Sequence, residues 1–265
     1  MKPLSDCPRA TLAAIEGVLT DIDETVSTDG VLTAEAYGAL EALKKAGFLV
    51  IPVTGRPAGW CDHIARFWPV DAVVGENGAF WMWPDKASGK LKTRFIQTDS
   101  ERAEGRRRLE IVRTEVLREV PGAAIASDQP YRVADLAVDF REDVPALSQA
   151  DIDRIVAIFE KHGAHAKVSS IHVNGWFGDY DKLTTSKAMM SELFGVDLDR
   201  DRSAYIFAGD SPNDAPMFGY FSNAVGVANI RDFARMAAFP SWITAARSGA
   251  GFAELARALI AAKGP

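Results

Sequence analysis

The run Val18-Leu19-Thr20-Asp21-Ile22-Asp23-Glu24-Thr25 constrains this chain most: an apolar segment that ends in two carboxylates one residue apart and then a hydroxyl. A buried strand over residues 17–22 would carry Asp21 at its carboxyl end, and that edge of an open α/β sheet is where ligands bind. On a strictly extended strand Asp21 and Asp23 share a face. Neither has a basic neighbour in sequence to neutralise it, so a cation is the natural third party. Magnesium suits, because it takes hard oxygen ligands and keeps positions open for phosphate. An Asp-x-Asp after a strand can equally open a turn, since Asp bonds its own backbone. The rest of the chain has to decide between the two.

Thr33 caps an amphipathic helix over 33–47 that repeats Ala36, Leu40 and Leu43 on one face and closes at Gly47. Phe48 to Val53 is an apolar run of strand length, Pro57 opens a helix to about Trp68, and Asp71 to Gly75 is a third short strand. This alternation predicts an α/β fold with a doubly wound, Rossmann-like parallel sheet, buried on both faces. After Gly75 the rhythm changes. A hairpin over 79–83 and 91–96 leads into a charged helix over 100–119, strands over 123–126 and 132–140, a helix over 149–162, and strands over 164–169 and 171–177. That pattern predicts an α+β insert with an antiparallel sheet. From Lys182 the first pattern resumes, with a helix over 183–194, a strand over 204–208, a short helix from 215 to 220, a strand over 224–227, and helices over 231–237 and 251–262. The expected organisation is therefore a discontinuous core, 1–80 and 180–265, interrupted by an insert at 81–179.

A formal net charge of −6 and a pI near 5.3 argue against a nucleic-acid or acidic-membrane partner. An anionic substrate would need local positive charge, which Lys182, Arg56 and a metal ion could supply. The two cysteines, Cys7 and Cys61, have no metal-ligand spacing and point to a reducing compartment. Met1 to Arg9 lacks a basic region followed by an apolar core, and no apolar run approaches roughly 18 residues. Together these lead to the expectation of a cytoplasmic protein; the oligomeric state is left open.

Four stretches carry a resemblance. Asp21-x-Asp23-x-Thr25, Thr54-Gly55-Arg56-Pro57 after a second apolar run, Lys182 before a helix, and Gly209-Asp210-Ser211-Pro212-Asn213-Asp214 after another strand resemble, in order, the motifs of the haloacid dehalogenase-like hydrolase superfamily. The resemblance implies a magnesium-dependent phosphatase for a small phosphorylated metabolite such as a sugar phosphate. It makes Asp21 the nucleophile that takes up phosphorus and Asp23 the general acid and base, with a backbone carbonyl toward the metal. Thr54, Gly55 and Lys182 would bind the phosphoryl oxygens. Asp21, Asp23, Asp210 and Asp214 would hold magnesium, and Asn213 would bind phosphate or orient Lys182 or the loop. Lys187 is the alternative lysine, but it lies a turn and a half into the helix. Glu24 departs from the pattern, since these phosphatases usually have Gly there.

The insert resembles the C2B caps of the IIB phosphatase subfamily. Glu76-Asn77-Gly78-Ala79 at its entrance and the Gly-Asp-Ser-Pro-Asn-Asp exit look most like the mannosyl-3-phosphoglycerate, sucrose-phosphate and Cof-type phosphatases. Such a cap would select the leaving group. On one strand Ile171 and Val173 alternate with His172, Asn174 and Trp176, giving a polar face with an aromatic. Arg132 and Asp135 fall on opposite faces of a regular strand. Arg56, Glu76, Asn77, Arg132, His172 and Asn174 are the candidate substrate contacts. A phosphomutase, returning the phosphoryl group to substrate, and a non-catalytic metabolite sensor are the alternative readings.

Overall fold

The computed structural model describes residues 1–169, 171–233 and 236–264. Its first part holds β1 (Lys2–Pro3), α1 (Arg9–Ala13), β2 (Gly17–Thr20), α2 (Ala34–Lys45), β3 (Leu49–Pro52), α3 (Ala58–Phe67), β4 (Val73–Gly75), β5 (Phe80–Asp85) and β6 (Lys90–Phe95). Then come α4 (Asp99–Glu119), β7 (Ala124–Ile125), β8 (Asp135–Asp139), α5 (Gln149–Lys161), β9 (His165–Val168) and β10 (His172–Trp176). The chain closes with α6 (Lys182–Phe194), α7 (Leu198–Asp201), β11 (Tyr205–Gly209), α8 (Ala215–Tyr220), β12 (Val225–Gly226), β13 (Trp242–Ile243) and α9 (Ser248–Lys263).

The central sheet is parallel throughout, in the order β1-β13-β12-β11-β2-β3. Along its middle strands apolar residues alternate between two cores. Val18 and Val50 pack with Leu40, Phe252 and Leu255 of α2 and α9. Leu19 and Ile51 pack with Met189, Met190 and Phe218 of α6 and α8 on the other face. Helices on both faces are the cost-free way to bury a strand that is apolar on both sides, so the doubly wound expectation follows directly. Local signals agree: the Thr33 hydroxyl accepts the Ala36 N–H at 3.2 Å to start α2, as an N-cap does.

A second, four-stranded antiparallel sheet, β7-β8-β10-β9, has α4 and α5 packed on one face around Val112, Val116, Leu136, Ile155, Phe159 and Val173. This is the inserted cap. The hairpin β5–β6 does not join it. It pairs with β4, which a parallel Val53–Val74 bridge ties to the end of β3. The sheets therefore separate after Phe95 rather than at residue 81.

Two further differences have simple causes. Residues 228–232 form a 3-10 turn where the start of a helix over 231–237 was expected, and Ala234 and Arg235 lie outside the described residues. A second 3-10 turn, Gln129–Tyr131, delays β8 until Asp135. Arg132 consequently lies off the strand and pairs with Asp135 at 3.0 Å instead of pointing away from it. Among the described residues, no helix is long and apolar enough to cross a membrane.

Candidate active site

Strands β11, β2 and β3 are neighbours in register, with Ala208, Thr20 and Pro52 level with one another. The ladder runs one step beyond them: Asp21 N–H donates to Ala208 O (2.8 Å) and Val53 N–H to Thr20 O (2.7 Å). The polar residues that end these apolar runs, Asp210, Asp21 and Thr54, thus emerge side by side at one carboxyl edge, where ligands of doubly wound sheets bind. Gly209 is required beside them, because a Cβ there would lie 2.4 Å from Asp214 Oδ2.

Lys182 opens α6, whose Asp181 cap accepts the Thr184 N–H. The ammonium reaches back to this edge and donates to Asp21 Oδ1 and Asp214 Oδ1, each at 2.8 Å. Lys187 instead pairs with Asp199 on the surface, so of the two lysines only Lys182 meets the strand ends. Asp214 also accepts the backbone N–H groups of Asp210 and Ser211 through Oδ2. Asp210 takes Thr25 Oγ1 at 3.4 Å and Asn229 Nδ2 at 3.0 Å and, among the described residues, pairs with no cation. Oxygens of Asp21, Asp210 and Asp214 lie within 4.8 Å of one another, all three residues buried.

The electrostatics are those of a crowded acidic site. Burial pushes the Asp21 pKa up to about 7; Asp214 and Asp23 add to this, and Lys182 opposes it. Asp210 is driven well above the usual carboxylate range by burial, then by Asp21 and Asp214. Burial works against the charge of Lys182, but Asp21 and Asp214 outweigh it and raise its pKa.

Asp23 sits past the strand end, lining the same cleft, and its carboxylate is turned to Arg56. Arg56 grips its carboxylate, Nε lying 2.8 Å from Oδ1 and 3.1 Å from Oδ2 and the second fork nitrogen 2.7 Å from Oδ1. The two acids that lack a basic neighbour in sequence each have one in space. The Asp23 carboxylate is accordingly not among the three converging carboxylates. Glu24 occupies the left-handed region with φ of 55°, which explains why glycine would suit that position. Its carboxylate turns away to Gly30 N–H and Ser248 Oγ.

The cleft above the edge is lined by Asp21, Asp23, Gly55, Arg56, Asp210, Ser211 and Asn213 from below, and by Arg132, Ser169, Ile171, His172 and Asn174 from the cap. It encloses about 20 Å³, the scale of one water. Arg132 is fully engaged: it forks onto Asp128 (2.9 and 3.0 Å), meets Asp135, and donates to Gly55 O at 2.9 Å. Asn174 Nδ2 donates to Asp135 Oδ2, and His172 Nε2 lies 2.8 Å from Glu142.

Comparison with solved structures identifies the architecture. The chain aligns with a haloacid dehalogenase-like hydrolase from Bacteroides thetaiotaomicron at a TM-score of 0.61, 14% identity, covering 92% of this chain and 98% of that one. The fold is that of the haloacid dehalogenase-like hydrolases. The same fold recurs in the C. albicans trehalose-6-phosphate phosphatase C-terminal domain (TM-score 0.71, 11% identity, 98% of each chain). It recurs also in the Synechocystis sp. PCC6803 sucrose-phosphatase in complex with sucrose and phosphate (0.63, 15% identity, 92% of this chain and 98% of that one). No family model and no curated protein matches the sequence.

Within this haloacid dehalogenase-like fold some expected site residues take other places. Glu76 is buried and away from the cleft. Its carboxylate accepts the N–H groups of Ala58 in the core and of Val133, Ala134 and Asp135 in the cap, so it is a bridge and not a substrate contact. Burial, with Asp135 adding, pushes its pKa up to about 8 against the pull of Arg132 and the backbone N–H groups. Asn77 is buried with its amide against Gly55, and it does not line the cleft. Asn213 does line it, but its Oδ1 accepts Ser211 Oγ, and it does not hold Lys182. Thr54 is fully buried, and its hydroxyl accepts the Arg56 N–H at 3.0 Å. Glu142 and Asn229 escaped the sequence reading because each lies far along the chain from the group it serves and in no motif; Asp128 lies four residues from Arg132 but far from Arg56, and the turn gave no sign of either pairing.

The donor set fits a hard divalent ion. Asp21, Asp210 and Asp214 are three buried carboxylates with one ammonium among them. Buried charge left unpaired is costly, and oxygen donors are what magnesium takes.

Proposed function

We propose that this protein is a magnesium-dependent phosphatase that hydrolyses a small phosphorylated metabolite, a sugar phosphate by preference, through an aspartyl-phosphate. The observation that carries this reading is the meeting of Lys182, Asp21 and Asp214 beside Asp210 at one strand edge. Such a group can bind a phosphoryl dianion only if its own negative charge is offset. Asp21, Asp210 and Asp214 would hold magnesium, which when bound neutralises charge on the phosphoryl oxygens.

The protein's own groups then divide the work. Asp21 attacks phosphorus and the leaving oxygen departs with a proton from Asp23; later Asp23 takes a proton from the water that releases phosphate. Lys182 keeps Asp21 oriented and counters phosphoryl charge. The backbone around Thr54 and Gly55 frames the phosphoryl site. The cap, counted from the end of the β5–β6 hairpin, roofs the leaving group with His172 and Asn174. A polar roof of this kind suits hydroxyl groups, and the sucrose-phosphate and trehalose-6-phosphate enzymes of the same fold favour a sugar.

The test is phosphate release from a panel of sugar phosphates and nitrophenyl phosphate, with magnesium and with EDTA. Release that depends on magnesium supports the reading. Isomerised phosphosugar without free phosphate would replace it with a mutase, and inert substrates throughout would replace it with a sensor.

A further inference from the structure

Arg56 stands where the loop carrying Asp23 meets the cap. Its side chain is 7% exposed, and its fork contacts both oxygens of Asp23. A planar guanidinium held this way fixes the plane of a carboxylate, which a lysine cannot do. The remaining nitrogen lies 3.7 Å from Asp128 and 3.7 Å from Glu142, both in the cap. From the core side, the Trp60 ring lies 4.4 Å from the guanidinium carbon. Asp128 is itself set by Arg132, which donates to Gly55 O, the carbonyl next to Arg56. Arg56 is therefore oriented by both bodies and passes that orientation to Asp23.

We infer that Arg56 is not a substrate contact but a positioning residue, which makes the orientation of Asp23 contingent on the docked cap. This rests on the phosphatase reading above and adds a control to it. Proton delivery to the leaving oxygen is available only when the cap carboxylates are in place to steer Arg56. With the cap away, Asp23 has a partner but no fixed direction.

The experiment compares a sugar phosphate, whose alkoxide needs a proton, with nitrophenyl phosphate, whose leaving group does not. Arg56→Ala is expected to lower kcat for the sugar phosphate on the order of 10–100-fold and to change nitrophenyl phosphate turnover far less. Arg56→Lys should not restore it, and added guanidinium ion should restore part of it in Arg56→Ala. Glu142→Gln, which does not touch Asp23, should repeat the leaving-group bias at smaller size. In an Asp23→Ala background, Arg56→Ala should cost nothing further. Equal losses for the two substrates, additive losses with Asp23→Ala, or an unbiased Glu142→Gln would overturn the inference while leaving the phosphatase reading intact. A wild-type protein inert toward both substrates would overturn both.

Discussion

Replacing Lys182 with Met removes the ammonium and keeps most of the side-chain volume, which makes it a clean probe of the acidic edge. Two contacts of 2.8 Å disappear, and Asp21, Asp210 and Asp214 are left buried with no cation among them from the described residues. Breaking one partner out of a buried ion pair costs about 3–5 kcal/mol. The cost should depend on pH. Asp21 already has a folded pKa of about 7, above its ordinary value, and loss of Lys182 raises it further. A carboxyl group raised in the folded state keeps a proton that the unfolded chain has released, so stability falls as pH rises through the interval between the two pKa values. In urea denaturation with EDTA present, Lys182→Met should lose about 3–5 kcal/mol at pH 8 and about 1–2 kcal/mol at pH 5. Magnesium at a hundredfold over its Kd should return about 2.7 kcal/mol to the variant. A loss of the same size at both pH values would refute the charge argument and leave only packing.

Asp21→Asn should lower turnover on the order of 10⁴-fold or more while far-UV circular dichroism stays unchanged; an active variant would remove Asp21 as the nucleophile. Asp23→Ala should slow sugar phosphates on the order of 10²–10⁴-fold and nitrophenyl phosphate by much less. Equal loss on the two would count against proton donation. Glu76→Gln sets an amide NH2 against backbone donors and orphans at least one buried N–H, costing about 1–3 kcal/mol. An unshifted urea midpoint would show that the bridge contributes nothing.

What could be read in the chain was whatever depends on neighbours in sequence. Asp21, Thr54 and Asp210 follow apolar runs, so once the runs are strands of one parallel sheet their ends must share an edge. Lys182 could be chosen over Lys187 because only the first residue of a helix points back past its own N-terminus. Side-chain pairing across the chain could not be read. The Arg56–Asp23 fork joins positions 33 apart, and the Glu76 bridge joins positions up to 59 apart. The elements β1, β13, α1 and α7 span two to five residues, too few for any period to show. An antiparallel hairpin has the same alternation whichever sheet it extends, so β5–β6 gave no sign that it belongs beside β4.

The Glu76 carboxylate also bears on how a sugar could enter so small a space. Four amides, one from below and three from above, converge on it away from the cleft, where core and cap meet. Lifting the roof straight off would strip the three cap amides at once, whereas pivoting about Glu76 keeps them. The cleft lined by Ser169 and Ile171 from the cap and by Asp210 and Ser211 from below would then gape as a door does, most at the edge far from its pin.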